Sequence, residues 1–472
     1  MKDLSRNLYE RLRHRLVGGV WVPGERLPSV RSLAVREGIS VHAVVSAYAR
    51  LVQDGMLEAH QGKGYFVASR LGEGADEGMG ALVDSGTTIP DPLFRMLQAG
   101  PQSIRLGCGW LPLDWRDTEG LARAVRRTAR LSHRGLVEYG DIQGHLPLRR
   151  QLGVHLRRTT RVDVPPRQLL TTLGATQALD LVARLLISTG DVVLVDEPCS
   201  ATLTRLLSLQ GGRVVGVPRR LDGPDIGALD ELLARHRPKA FFCNSTYHNP
   251  TGAGVSSQVG FKLLRRAITH GFVLVEDDVY GDFHPGVRPT LAEMDEFEHT
   301  IYIGSFAKSL SASLRIGYLA ASAERLAQLA ELKLLTSVAV PGFCERFVHT
   351  ILMDGTYRRH VQGIQRRLMS QQVMAQRALK RRGWVFDIEP EGGMFLWGGH
   401  PAVQDLSAFI ERLGQQGILL LPGRSFAVSA AFDHLTRINV AHLTRAILPA
   451  LQVAQGNSRA EPSRRGTPAG MS

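Results

Sequence analysis

Apolar positions recur along this chain with two different periods, and the change of period divides it. Over the first 70 residues the period is helical. Leu8, Leu12 and Leu16 in LYERLRHRLVGGV stand four apart, which predicts an amphipathic helix broken at Trp21-Val22-Pro23-Gly24. Ser29 reads as the N-cap of a second helix around Val30–Glu37, stopped by Gly38. Ser40 caps a third, SVHAVVSAYARL, with Val41, Val44, Val45, Tyr48 and Leu51 expected on one apolar stripe. After Gly55, MLEAHQGKGYFVA reads as two strands turning at Gly62-Lys63-Gly64. Three short helices and a β-ribbon describe a winged helix-turn-helix over residues 1–70.

Residues 71–100 are Gly-rich, acidic and nearly without core residues, as in LGEGADEGMG, and read as a linker. From about 101 to 345 the apolar runs become short and continuous: DVVLVD, AFFCN, FVLVEDD and TIYIGSF. Helical stretches such as GATQALDLVARLLI separate them. Such alternation predicts an α/β domain, a parallel sheet covered on both faces. Residues 346–455 read as a smaller α/β subdomain containing the strand GMFLWG. The tail, 456–472, is polar and Pro/Gly-containing and reads as disordered.

Composition narrows the class. A chain of 472 residues is long enough for two or three domains. Its formal net charge of +13 favours a polyanionic partner. Within residues 1–70 eleven Lys/Arg face six Asp/Glu, a net +5. Four cysteines (Cys108, Cys199, Cys243, Cys344), far apart and without CxxC spacing, suggest neither a disulfide framework nor a metal cluster. The charged N-terminus is no signal peptide, and no apolar run is long enough to span a membrane. The expectation is a cytoplasmic protein.

The sharpest chemistry lies in TIYIGSFAKSLSASLRIGYLA. A strand ends at Ser305-Phe306, Lys308 follows on the loop, and Arg315 comes seven residues later. Ligands of doubly wound sheets bind outside the carboxyl ends of the strands. A lysine there can form an imine with a carbonyl cofactor once cationic neighbours or desolvation lower its pKa. Asp277, ending another strand, can pair with a protonated pyridine nitrogen. Tyr280 and Asn249, the latter in STYHNPTG, can hydrogen-bond a phenolate oxygen. Gly174-Ala175-Thr176 opens a helix whose N–H groups can receive a phosphate, with Ser305 and Arg315 beside it. Each piece alone is weak; together, in this order, they are specific.

From about residue 100 to 450 these motifs resemble the fold-type I, class I/II aminotransferases. The resemblance implies a PLP-dependent transferase-like fold and pyridoxal 5′-phosphate held as a Schiff base on Lys308. It puts Asp277 on the pyridine nitrogen and Asn249 and Tyr280 on the phenolate oxygen. Gly174, Ala175, Thr176, Ser305 and Arg315 would hold the phosphate. VEYGDIQG resembles a Tyr-x-x-x-x-Gly segment, so Tyr139 would reach the cofactor of a partner subunit. LTRINVA nominates Arg437 as a bidentate clamp on a substrate carboxylate, and Gly107 to Pro112 resembles a segment that closes over the substrate. One position departs: where an aromatic ring usually stacks on the cofactor, two residues after a proline, this chain has Ser200.

PGERLPSVRSLA, SVHAVVSAYARL and DGMLEAHQGKGYFV resemble the GntR family of winged-helix regulators. The resemblance points to double-stranded DNA as partner. Ser40, His42, Ala43 and Ser46 on the third helix are the candidates for reading the major groove, with Arg31 and Lys63 as backbone or minor-groove contacts. Where the family often has Arg or Lys after the capping Ser, this chain has Val41. A GntR-type reader ahead of an aminotransferase-like domain is the layout of the MocR-type subfamily, which implies a head-to-tail homodimer. Two functions follow. The chain is a regulator sensing the cofactor, or an amino compound reacting with it, through aldimine exchange at Lys308; or it is a working aminotransferase with an appended DNA-binding domain. A third reading, a mere dimerisation platform, leaves the cofactor residues unexplained.

Overall fold

A computed structural model of the chain describes residues 2–17, 21, 24–60, 63–68, 92–100, 102–130, 137–429 and 431–452. Residues 71–91 of the expected linker and the whole expected tail, 456–472, lie outside the described residues, as does Gly62 of the expected turn. The chain divides into two compact units, residues 1–99 and 100–472.

The first unit begins with α1 (Lys2–Val17), α2 (Val30–Glu37) and α3 (Val41–Gln53), followed by β1 (Leu57–His60) and β2 (Gly64–Val67). The starts and stops are local chemistry. Ser29 Oγ accepts from the Ser32 N–H at 3.2 Å and Ser40 Oγ from the Ala43 N–H at 3.2 Å. Gly38 ends α2 in the left-handed region, at φ 65°. β1 and β2 pair antiparallel from Leu57↔Val67 to His60↔Gly64. Leu8, Leu12, Leu16, Leu33, Val44, Tyr48, Leu51, Leu57 and Val67 form one core. The expected stripe on α3 needs correcting: Val41 is 50% and Val45 42% exposed, while Ala43 and Ala47 are buried. At 100° per residue the inner face runs through 43, 44, 47, 48 and 51, and the bulk of a valine does not change that phase.

In the second unit an eight-stranded sheet has the order β3-β10-β9-β8-β7-β4-β5-β6. The strands are β3 (Leu169–Thr172), β4 (Val192–Glu197), β5 (Arg213–Arg220), β6 (Gly223–Pro224), β7 (Ala240–Asn244), β8 (Val273–Asp277), β9 (Thr300–Ser305) and β10 (Gly317–Ala320). Alternate residues of the central strands feed two cores. Val193, Val195, Phe242, Val275 and Ile303 pack with the helices Gly174–Leu186 and Ala323–Ser337. Leu194, Phe241, Cys243 and Leu274 pack with Ile226–Arg235 and Ser257–His270 on the other face. Burial on both sides is why these strands read as unbroken apolar runs.

The sheet is mixed rather than purely parallel. β4, β5, β7, β8 and β9 pair in parallel, but β10 runs antiparallel to both β9 and β3. Only residues 306–316 join β9 to β10, too few for the crossover a parallel pair requires. A smaller antiparallel sheet follows, β11 (Val385–Phe386), β12 (Phe395–Gly399), β13 (Leu421–Pro422) and β14 (Thr436–Asn439), in the order β11-β12-β14-β13. Its core also takes Leu106, Leu111 and Trp115, so the segment read as the start of the larger part packs in the smaller one. Ile104 bridges Ile418 there. Among the described residues no helix is long and apolar enough to cross a membrane.

Candidate functional site

In the first unit the outward face of α3 carries Val41, His42, Val45, Ala49 and Arg50, all exposed, with Ser46 half-buried. Two expected groove-reading residues change status. Ala43 is buried in the core, and Ser40 lends its oxygen to the helix cap. Val45, Ala49 and Arg50 share the exposed face without having been named; stepping three, four and seven residues on from His42 finds the first two. Arg31 on α2 and Lys63 at the turn between β1 and β2 are exposed. Gly64, at φ +104°, sits where an added Cβ would stand 3.3 Å from Arg26 Nε, so the ribbon turn packs back on Arg26.

In the second unit the carboxyl ends of β4, β7, β8 and β9 deliver Asp196, Asn244, Asp277 and Ser305 to the lining of one cleft of about 190 Å³. Ala175, Thr176, Asn249, Tyr280, Lys308 and Arg315 line it too. The helix Gly174–Leu186 starts at the cleft without a side-chain cap, leaving first-turn N–H groups for a ligand. Gly174 has φ +77°, and a Cβ there would stand 2.9 Å from Arg315 Nη2. Only glycine lets the guanidinium lie so close to the helix start. Arg315 Nη2 donates to the Leu173 carbonyl at 3.1 Å, and Ser305 Oγ accepts from the Ala307 N–H at 3.1 Å.

Lys308 lies half-buried on the loop between β9 and β10. Burial, then the positive charge of Arg437, lowers its pKa to about 8. Burial raises Asp277 to about 6; its Oδ1 accepts from the Val279 N–H at 3.2 Å. Burial likewise raises Tyr280 above the usual phenol range. A methyl added at Gly109 would stand 3.5 Å from Tyr280 Oη, 3.7 Å from Lys308 Nζ and 3.8 Å from an Arg437 Nη. Three side chains from β9–β10, the β8 end and β14 therefore converge on one small space.

Arg437 is central in β14, paired with Trp397 and Leu421. Its guanidinium lies 4.8 Å from the Phe395 ring and 4.7 Å from the Phe426 ring, nearly desolvated between them. Nη2 and Nε donate to the Gly107 carbonyl at 2.6 and 3.2 Å, and Nη1 donates to Asn249 Oδ1. Asn249 thus keeps its amide N–H groups for another acceptor. The segment expected to close over a substrate is held here by the arginine expected to clamp one.

Two expected residues stand apart. Tyr139 is 89% exposed and lines a separate surface hollow with Asp141, His145 and Arg346, so it is not brought to its own chain's cleft. Ser200 does line the cleft, next to Leu203 and Leu206, but begins the helix Ala201–Leu209 without a side-chain cap bond. Among the described residues, the phenyl and phenol rings lining the cleft are Phe242 and Tyr280.

Other residues were missed. Asn244 donates from Nδ2 to the Asp277 carbonyl at 2.6 Å and accepts on Oδ1 from the Asn249 N–H at 2.8 Å, so it sets two of the candidate cofactor residues at once. Asp196 accepts from Arg219 at 2.7 Å and from the Asn244 N–H at 2.9 Å. Asn244 ends its strand, as Asp277 does, and Asp196 stands one residue before the end of β4; that shared position was the available signal. The residues fit a phosphorylated pyridine aldehyde: an uncapped helix start facing a guanidinium, a half-buried carboxyl, and an amine of lowered pKa.

The family "Bacterial regulatory proteins, gntR family" matches residues 4–67, and "Aminotransferase class I and II" matches residues 101–451. An uncharacterized HTH-type transcriptional regulator of Bacillus subtilis, YisV, is 27% identical over 89% of this chain and 89% of its own length. The probable rhizopine catabolism regulatory protein MocR of Rhizobium meliloti is 29% identical over 67% of this chain and 65% of its own. Among solved structures, the α-aminoadipate aminotransferase LysN of Thermus thermophilus, complexed with N-(5′-phosphopyridoxyl)-L-leucine, matches with TM-score 0.70 and 27% identity, over 77% of this chain and 92% of that one.

Proposed function

Since the chain belongs to the class I and II aminotransferase family and carries a gntR-family DNA-binding domain ahead of it, as MocR-like regulators do, we propose that its cofactor site serves as a chemical sensor for transcription. The family implies pyridoxal 5′-phosphate, whose ring acts as an electron sink when bound. In this reading Lys308 holds the cofactor aldehyde covalently and gives it up to an amino compound. Asp277 faces the pyridine nitrogen, Asn249 and Tyr280 the phenolate oxygen, and the Gly174–Thr176 helix start with Ser305 and Arg315 the phosphate. Arg437 receives the carboxylate of the amino ligand. The subunits pair head to tail, each Tyr139 completing its partner's phosphate site. His42, Ser46 and the exposed remainder of α3 face the major groove, with Arg31 and Lys63 on the backbone.

The convergence of Lys308, Tyr280 and Arg437 on the space at Gly109 carries this reading. It joins a carbonyl-capturing amine to a carboxylate-binding guanidinium within one small ligand's reach. Sensing is favoured over turnover by Ser200, which leaves the cleft without the usual stacking ring. The intact Lys308, Asp277, Tyr280 and Arg437 favour a second reading, a working aminotransferase. To move a two-state reader from mostly off to mostly on takes about 5.5 kcal/mol of differential binding; a covalent exchange plus an Arg–carboxylate pair is of that order. The test is DNA binding at fixed salt, with cofactor and an amino-acid panel, for the native chain and Lys308→Ala. The variant is expected to bind DNA yet lose its response. A response that persists unaltered in Lys308→Ala refutes the sensor, and sustained transamination at about 1 per second or faster supports the enzyme.

A further inference from the structure

We infer that the second unit holds another small-molecule site, outside the cofactor cleft, for a compact organic anion with an apolar body. The site is a groove of about 700 Å³ between the segment at residues 103–115, the helix Thr356–Lys380 and the turn at 441–445. It shares no lining residue with the cofactor cleft. Its chemistry is lopsided. Arg367 and Arg445 border it against a single carboxylate, Asp114. Arg367 stacks 4.1 Å over the Trp115 ring, which fixes its guanidinium plane, and reaches Asp114 only at 3.4 Å with both side chains largely in solvent. An exposed pair of that length contributes little, so an incoming anion displaces it readily. Arg445 is exposed and makes no ion pair or side-chain hydrogen bond among the described residues. Ile104, Pro112 and Met374 supply the apolar floor. Two guanidinium groups over such a floor suit a carboxylate or phosphate ester on a small ring.

The groove is wired to Arg437. His442 lines the groove, and its Nε2 lies 3.2 Å from Cys108 Sγ and 3.1 Å from the Trp110 carbonyl. Asn439 Nδ2 donates to the Cys108 and Trp110 carbonyls at 3.0 and 2.9 Å. The same peptide run presents the Gly107 carbonyl that holds the Nε edge of Arg437. One wall of the groove therefore aims the guanidinium, and a ligand that shifts this wall alters carboxylate binding in the cleft. Linkage requires the reverse effect to be equal. The coupling rests on Arg437 as the carboxylate clamp; the groove's own binding does not.

The experiment titrates full-length, cofactor-loaded protein calorimetrically with phenyl phosphate and with benzoate. One site per chain is expected, weakened at least tenfold in Arg445→Ala/Arg367→Ala and unchanged in Arg315→Ala, with thermal midpoints confirming that the variants fold. Affinity that ignores the double substitution, or falls only in Arg315→Ala, overturns the site. Titrating L-alanine with and without saturating phenyl phosphate then tests the link: the two probes are expected to change each other's affinity by one common factor of about threefold or more. Groove binding with no mutual effect overturns the coupling alone. Failure of alanine to bind counts against Arg437 as a clamp, while the groove result stands independently.

Discussion

Lys308 should capture the cofactor aldehyde at a pH where an ordinary lysine scarcely reacts. The nucleophile is the neutral amine, so the rate follows the deprotonated fraction. With a pKa of about 8 in place of 10.5, about one Lys308 in ten is neutral at pH 7, against about one in 3,000 for an unperturbed lysine. That is a gain of about 300-fold in reactive amine. The assay is stopped-flow mixing of cofactor-free protein with pyridoxal 5′-phosphate between pH 5.5 and 9.5, following the visible absorbance of attachment. The rate should climb about tenfold per pH unit and bend near pH 8. Burial is the larger cause of the shift and Arg437 the next. Arg437→Gln removes a cation, stabilises the protonated amine and should move the bend upward. Asp277→Asn removes a charge that favours the protonated amine and should move it downward. The cofactor's own titrations are common to all three proteins and cancel in the comparison. A rate still climbing tenfold per unit at pH 9.5 with no bend, or a downward shift in Arg437→Gln, refutes the reasoning.

Ser200→Tyr places a ring at the cleft position that Ser200 now holds and removes no cap bond, so cofactor release should slow by about 2- to 12-fold, the worth of about 0.5–1.5 kcal/mol of aromatic stacking; a release rate unchanged in fluorescence-monitored dilution shows that the ring finds no purchase there. Arg288 pairs with Asp278, the two side chains 4% and 0% exposed, and Arg288→Leu strands the carboxylate beside the Tyr302 hydroxyl at 2.6 Å. Urea unfolding of the second unit's transition should reveal a loss of about 3 kcal/mol, the low end of the range for a broken buried pair; a loss under about 1 kcal/mol would mean that Tyr302 alone satisfies Asp278. Arg31→Ala should weaken binding to all DNA sequences alike and flatten the log–log salt dependence by about 0.9. A sequence-selective loss would instead make Arg31 a base reader.

The elements that could be read from the chain are those whose signal is local. Ser29, Gly38 and Ser40 punctuate α2 and α3 through bonds to residues within a few positions, and the apolar runs of β4, β7, β8 and β9 report burial on both faces. β10 was not legible. GYLA follows the Lys308 loop so closely that it reads as part of that loop, and its direction depends on how few residues connect it to β9. The inner face of α3 was misread for a related reason. Side-chain type pointed to Val41 and Val45, while the phase of the helix, which only its packing reveals, buries Ala43.

The candidate cofactor residues were legible because most of them end or follow a strand, as Asp277, Ser305 and Lys308 do, or open a helix, as Gly174 does, positions the pattern of runs already marks. What holds them was not. Asn244 reaches Asp277 from the neighbouring strand, and the carbonyl on Arg437 belongs to Gly107, some 330 positions earlier. A backbone carbonyl carries no side-chain signature, so no motif could announce it. Yet this contact shapes the site without a ligand: Gly107 occupies the Nε edge of the guanidinium and Asn249 Oδ1 takes one Nη1 hydrogen, leaving two of the five N–H donors for a carboxylate. An arginine already aimed loses little freedom on binding. A carboxylate that tightens its hold would then pull on the segment from Leu106 to Pro112, which packs in the core of the smaller subdomain through Leu106 and Leu111. In the proposed sensor, ligand occupancy would thereby become a displacement of that subdomain, which a variant that frees Gly107 from Arg437 would lose.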